Sequence, residues 1–184
     1  IGDRRGEGIL LANQGLIYQM LGQPEDALKY RKQALKIARE VEDKRNEGIN
    51  LGNIGIVYKI LGQYKESLKA YEEALKIAIE IGDRRGEGAH LGNLGVVYCN
   101  LGQYEESLKS YEEALRIAKE IGDRRSEAIN LGNLAIIFQY LGQNEKAIKS
   151  YEEALSITIE IGDKRGEGVN LGNLGEIFLR LNRV

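Results

Sequence analysis

Residues 82–95 read GDRRGEGAHLGNLG, and the chemistry this chain has to offer is concentrated in and around them. Five glycines in fourteen residues would suit a loop that wraps a phosphate, with Arg84 and Arg85 as counter-charges. His90 is the only histidine and Cys99 the only cysteine, types that can supply a base and a nucleophile. Spacing argues against both chemistries. A phosphate loop needs its glycines once, after a strand, as GxxxxGK[ST] or GxGxxG, and neither motif is present. His90 and Cys99 stand nine residues apart. On a helix they share a face but are separated by about 13 Å of rise, too far for a nucleophile and its base. A lone cysteine rules out an intrachain disulfide and leaves too few ligands for a cysteine-based metal site. No catalytic residue, metal site or cofactor is expected.

The elements that hold these residues come from a repeat. GDRRGEG at 2–8 returns at 82–88, and EDKRNEG, GDRRSEA and GDKRGEG stand at 42–48, 122–128 and 162–168, always 40 residues on. LGQPEDALKYRKQALKIA, LGQYKESLKAYEEALKIA, LGQYEESLKSYEEALRIA and LGQNEKAIKSYEEALSIT begin at 21, 61, 101 and 141. A period of this length marks an array of stacked units. Within one period, Ala89, Leu91, Leu94, Gly95, Tyr98 and Leu101 follow helical spacing, and so do Leu108, Tyr111, Ala114, Leu115, Ala118 and Ile121. The periodicity predicts helices over about 83–101 and 104–121. Gly102 ends the first, and Gly122 with Asp123 ends the second and caps the next. Four glycines inside the first helix oppose it by about 4 kcal/mol, so they must serve close approach of another group.

The chain of 184 residues is 42% apolar and 29% charged, with a net charge of −2 and a single proline, Pro24. That balance gives no field for nucleic acid or an acidic membrane, and the near-absence of proline favours long helices. No apolar run approaches the length of a bilayer span. With no signal segment in view and one free thiol, a cytoplasmic location is expected. The sequence opens and closes at repeat boundaries, which predicts a fragment of a longer array whose uncapped ends are open to homo-oligomer formation.

The residues Leu91-x2-Leu94-Gly95-x2-Tyr98, Ser107-x3-Tyr111 and Ala114 resemble the tetratricopeptide repeat pattern. The pattern recurs at Leu51, Ile54, Gly55, Tyr58, Ser67, Tyr71 and Ala74. It recurs more loosely at Leu131, Leu134, Ala135, Phe138, Ala147, Tyr151 and Ala154. The first copy departs, with Arg31 in the aromatic place beside Tyr30, and the family proline is missing. The words LGN at 51, 91, 131 and 171 and the 40-residue period are similar to the Leu-Gly-Asn repeats of Pins-type scaffolds. The resemblance implies an all-α fold, a right-handed superhelical solenoid of antiparallel helical hairpins, in one array over 1–184. Its repeats would run over 3–42, 43–82, 83–122 and 123–162, with the first helix of a fifth over 163–181.

The resemblance also implies a concave groove lined by the first helix of each hairpin. Asn13, Asn53, Asn93, Asn133 and Asn173 form one row of it. Ile9, Ile49, Ala89, Ile129 and Val169 form a second, and Leu16, Ile56, Val96 and Ile136 a third, which ends at Glu176. Gly52, Gly92, Gly132 and Gly172 lie between them. An asparagine amide offers a donor and an acceptor to a peptide main chain, and a floor of glycine lets that chain approach. The bland reading stands beside it: the asparagines bridge adjacent hairpins and the apolar rows pack between helices.

Arg4-Arg5, Lys44-Arg45, Arg84-Arg85, Arg124-Arg125 and Lys164-Arg165 sit in the first turn of each odd helix. They read either as exposed pairs with Glu7, Glu47, Glu87, Glu127 and Glu167, or as an acidic-peptide contact through Arg85, Arg125 and Arg165 at the groove rim. The groove positions nearest the LGN words are Gly, Ile or Ala, so the arginine specificity of Pins-type scaffolds does not carry over. The expected function is a protein-interaction scaffold for an extended or helical peptide. The alternatives are a sensor module of a larger ATPase, kinase or protease, and a self-associating array.

Overall fold

Three-residue connections join the helices, and local chemistry places each of them. The computed structural model describes residues 3–181. Among the described residues there are helices only: α1 (Arg4–Met20), α2 (Pro24–Glu40), α3 (Lys44–Ile60), α4 (Tyr64–Glu80), α5 (Arg84–Asn100), α6 (Tyr104–Glu120), α7 (Arg124–Tyr140), α8 (Asn144–Glu160) and α9 (Lys164–Leu181). This is the all-α hairpin architecture that the period predicts, with ends within a residue or two of those expected. Each odd helix starts behind an aspartate. The carboxylates of Asp3, Asp43, Asp83, Asp123 and Asp163 accept the backbone N–H three residues on, at 2.9 to 3.1 Å. Such a cap contributes about 1 kcal/mol.

Glycine turns end the helices. After α1, Gly22 takes φ 71°. Its N–H reaches the Gln19 carbonyl at 3.1 Å, and the Gln23 N–H reaches Tyr18 at 2.9 Å. This is the Schellman closure, which needs a left-handed residue. The turn after α2 is the exception, because Glu42 holds the left-handed place at φ 55°.

The helices group into two units, one ending at Val97 and the other beginning at Tyr98. In the first, α1 packs on α2, α2 on α3 and α3 on α4. Its core joins Leu35, Leu51, Ile54, Ala70, Ala74 and Ile77. In the second, α6 packs on α7, α7 on α8 and α8 on α9. One of its cores joins Ala135, Ala147, Tyr151, Leu174 and Ile177, and another joins Ala128, Leu131, Ala154 and Ile157.

Small residues set the closeness of each hairpin. Tyr71 is wholly buried with its ring against Gly55, where an added Cβ would lie 2.8 Å from the ring. The Ser67 hydroxyl donates to the Gly55 carbonyl at 2.8 Å and ties α4 to α3. In the second unit Ala135 and Tyr151, also buried, hold the equivalent places. In the first hairpin Arg31 fills the aromatic slot itself. It is 5% exposed, it lies against Gly15, and its Nε has no hydrogen-bond partner. Tyr30 turns away to stack on Tyr18 at 5.0 Å between centroids.

Candidate functional site

The two cations that open each odd helix serve different ends. The first belongs to an ion-pair ladder: Arg4 with Glu7 and Glu40, Lys44 with Glu47, Arg84 with Glu87, Arg124 with Glu127 and Glu160, and Lys164 with Glu167. The carboxylates are not all exposed, as the bland reading expects, since Glu47 and Glu127 are each only 7% exposed. Burial pushes Glu47 up, but hydrogen bonds from Arg39 at 2.8 Å and Lys44 at 3.1 Å outweigh it and hold the carboxyl below its usual range. The second cation faces the neighbouring odd helix. Arg5 pairs with the cap Asp43 at 3.2 Å. Among the described residues, Arg125 and Arg165 make neither an ion pair nor a hydrogen bond, and both line a cleft.

Three clefts between neighbouring odd helices show the consequence. Between α1 and α3, where Arg5 and Asp43 close the mouth, the hollow is about 20 Å³; Ile9 and Ala12 line it. Between α3 and α5 it is about 220 Å³, lined by Arg45, Ile49, Asn53, Asp83 and His90. Between α7 and α9 it is about 320 Å³. There Arg125, Ile129, Gly132, Asn133 and Ile136 of α7 face Arg165, Val169, Asn170 and Asn173 of α9, with Thr158 of α8 behind them. Helical spacing of four, three or four, and three residues puts the α7 set on one face.

Of the residues expected to form the site, the largest group assembled here is Arg125, Ile129, Gly132, Asn133, Ile136, Arg165, Val169 and Asn173. Ile49 and Asn53 meet in the α3–α5 cleft. Elsewhere, Asn13 and Leu16 are exposed on α1, Ile56 is half-buried on α3, and Gly172 is exposed on α9. On α5, Ala89 and Arg85 are exposed, and Gly92, Asn93 and Val96 are half-buried. The Asn53 amide donates to the Ile49 carbonyl one turn back, at 2.9 Å. At Gly52 the space left by the missing Cβ is taken by the His90 imidazole, whose Cε1 would lie 2.6 Å from a Cβ there. At Gly132 the nearest group to such a Cβ is the Asn170 Oδ1, at 3.4 Å.

A further row, which the sequence analysis did not assign to the site, borders the clefts. Asn50, Asn130 and Asn170 are 3%, 6% and 5% exposed, and His90 stands in the same register. Asn50 donates to the Asn46 carbonyl at 2.9 Å. No hydrogen bond reaches the Asn170 amide among the described residues, although it lines the cleft. His90 is a plug in that row, filling the space over Gly52. Its Nδ1 is buried without a partner, and its ring lies 6.4 Å from Tyr71. Burial pushes the imidazole down from its ordinary value, with Asp83 partly opposing. A polar residue one place before each LGN word, repeated every forty residues, was the available signal.

No group of three or more His, Cys, Asp or Glu side chains is placed to hold a metal among the described residues, and none of their helices is long and apolar enough to cross a membrane. No curated protein matches the sequence significantly. Among solved structures, the chain is similar to a signal transduction ATPase with numerous domains from Pyrococcus horikoshii that carries a tetratricopeptide repeat sensor. The identity is 25%, the TM-score 0.88, and the match covers 97% of this chain and 28% of that one. It is also similar to aspartyl phosphate phosphatase F from Bacillus subtilis, at 18% identity and TM-score 0.86, over 100% of this chain and 51% of that one. A Rap protein complexed with competence and sporulation factor matches at 20% identity and TM-score 0.84, over 100% and 54%. The chain thus spans at most about half the length of each of these proteins. The tetratricopeptide repeat model matches residues 7–80, 87–160 and 131–184, and the chain belongs to the tetratricopeptide repeat family.

Proposed function

We propose that this chain is a non-catalytic interaction module of the 40-residue Leu-Gly-Asn type. It binds an extended or helical segment of another polypeptide along its odd helices, in a cytoplasmic setting. The observation that carries the reading is the α7–α9 cleft. Isoleucine and valine rows, half-buried asparagine amides and two unpaired arginines line one hollow of about 320 Å³. Apolar walls with a few polar groups are what a peptide side chain and its backbone require. The similarity to a Rap protein complexed with competence and sporulation factor agrees with a ligand-binding role for such an array. The test is retention of a pooled synthetic peptide library on the immobilised chain, alongside Asn133→Ala and Asn173→Ala. Lost retention with an unchanged melting temperature supports the reading. A large drop in melting temperature instead makes the asparagines spacers between hairpins.

The likeness to an ATPase that carries a repeat sensor favours a second reading. In it the array is the sensing part of a larger signalling protein, and ligand binding alters an attached catalytic domain. An adjoining catalytic domain in the full-length protein decides for it. Self-association is the third reading. Leu10 and Ile17, 66% and 56% exposed on α1, offer an apolar face for it, and light scattering over a range of concentrations tests it.

A further inference from the structure

One face of α1 is written differently from the same face of the other odd helices. Where they carry Asn50, His90, Asn130 and Asn170, α1 carries Leu10, which is 66% exposed. Where they bury Ile54, Leu94, Leu134 and Leu174, α1 carries Gln14, which is exposed. Polar and apolar have changed places. On α3 the face is covered by the preceding even helix, since Ile54 shares a core with Leu35 of α2. An even helix laid on α1 in the same way would bury the Gln14 amide in an apolar joint, where an unpaired amide is costly. The face is therefore not built for an ordinary neighbouring repeat.

Its own pattern says what suits it. Leu10, Gln14, Ile17 and Leu21 follow one another at intervals of four, three and four, a seam along one side of a helix, and all four are exposed. No charged residue stands between Gly8 and Gln23, so no like charges oppose a second seam of the same kind. A glutamine amide holds both a donor and an acceptor, and its complement is another amide. Such self-complementarity is what a twofold contact demands, because each patch meets a copy of itself. Resting on the self-association reading above, we propose that this face is a twofold contact between two copies of the chain. The α1 helices run antiparallel with the two Gln14 amides bonded across the axis, and Leu10 of each copy packs towards Ile17 of the other. From Leu10 to Leu21 the helix rises by about 16 Å. So short a seam falls at or below the roughly 1,200 Å² low end of stable interfaces, which makes the dimer weak, formed at concentrations on the order of tens of micromolar.

Sedimentation velocity of the full chain over a wide concentration range tests this. A monomer–dimer equilibrium with no larger species is expected. Leu10→Asn/Ile17→Asn should sediment as monomer throughout, while Leu171→Lys, on the exposed apolar side of α9, should leave the dimer intact. Gln14→Glu and Gln14→Lys should each weaken the dimer roughly tenfold through like charges meeting across the axis, and an equal mixture of the two should regain it. Circular dichroism of each variant separates a lost contact from a lost fold. Monomer at every concentration overturns the twofold contact and the self-association reading together. Association that survives the α1 substitutions but is lost in Leu171→Lys overturns the surface and leaves self-association. Species growing beyond dimers overturn the twofold in favour of head-to-tail joining of α1 to another copy's α9. A mixture of the Glu and Lys variants no better than either alone overturns the meeting of the two Gln14 side chains.

Discussion

The first hairpin joint and its counterpart in the second unit are built from the same sequence word, yet they close differently. In the second unit Tyr151 and Ala135 meet in one core, and Tyr151 is 1% exposed. In the first unit, Tyr71 meets Gly55 in one hairpin and Arg31 meets Gly15 in the other, and both Arg31 Nε and Tyr71 Oη are buried without partners. The repeat therefore fixes the backbone geometry of the joint while leaving its filling free. A cationic side chain fits the slot because its aliphatic stem covers the same glycine an aromatic ring covers elsewhere.

Removing the aromatic filler has the largest expected effect on either joint. Tyr71→Ala and Tyr151→Ala are each expected to cost about 3–5 kcal/mol by urea denaturation, because both leave an aromatic-sized void in a packed joint. Equal losses mean that glycine and alanine floors are equivalent. A much smaller loss at Tyr71 means its joint collapses over Gly55. Arg31→Tyr acts in the opposite direction. Burial pushes the Arg31 guanidinium down from its usual range, and nothing pairs with its Nε. Rebuilding the aromatic joint is therefore expected to stabilise the first unit by about 1–2 kcal/mol. A loss of stability shows that Arg31 gains something its surroundings do not reveal.

The turns offer a smaller contrast. Glu42 holds φ 55°, where the corresponding Gly122 and Gly162 hold 69° and 71°. Glu42→Gly is expected to stabilise the first unit by about 1 kcal/mol, and Gly162→Ala to destabilise the second by a similar amount. Thermal midpoints of both variants decide it.

The smallest effect is that of pH. His90 is held neutral by burial against Gly52, with Tyr71, Asp83 and Arg45 around it, and Asp83 partly opposes the downward shift. An unfolded histidine titrates near about 6.5. The contribution of this buried neutral ring is therefore complete above that pH and falls away as pH drops towards the lower folded value. The midpoint of the first unit should decline between neutral and mildly acidic pH. His90→Asn, which restores the residue of the other copies, should flatten that slope. A slope unchanged by the substitution removes His90 as its source.

Helix positions were legible because their causes are local. Asp123 caps α7 through a hydrogen bond three residues away, and Gly102 turns the chain within one residue. The ladder of first cations was half legible. Arg124 with Glu127 follows from helical spacing, but the bond from Arg124 to Glu160 requires knowing that α8 ends beside the start of α7. The candidate site was legible as rows and not as a place. Ile129, Asn133 and Val169 line one cleft, but no spacing rule says that Arg5 finds Asp43 while Arg125 stays unpaired. That outcome depends on distances between helices that only packing determines. The packing role of His90 was not legible for the same reason, since it exists only against the bare backbone of Gly52 on another helix.

Within each unit the helices lie against their immediate chain neighbours, and that arrangement carries a kinetic consequence. Most helix packing joins segments adjacent in the chain, so little loop entropy is lost before attraction sets in. Folding of such a chain should begin at whichever pair of helices forms first and spread outward. Damage at one joint should likewise stay near it, and deuterium uptake would then rise around the altered hairpin while remote amides keep their protection.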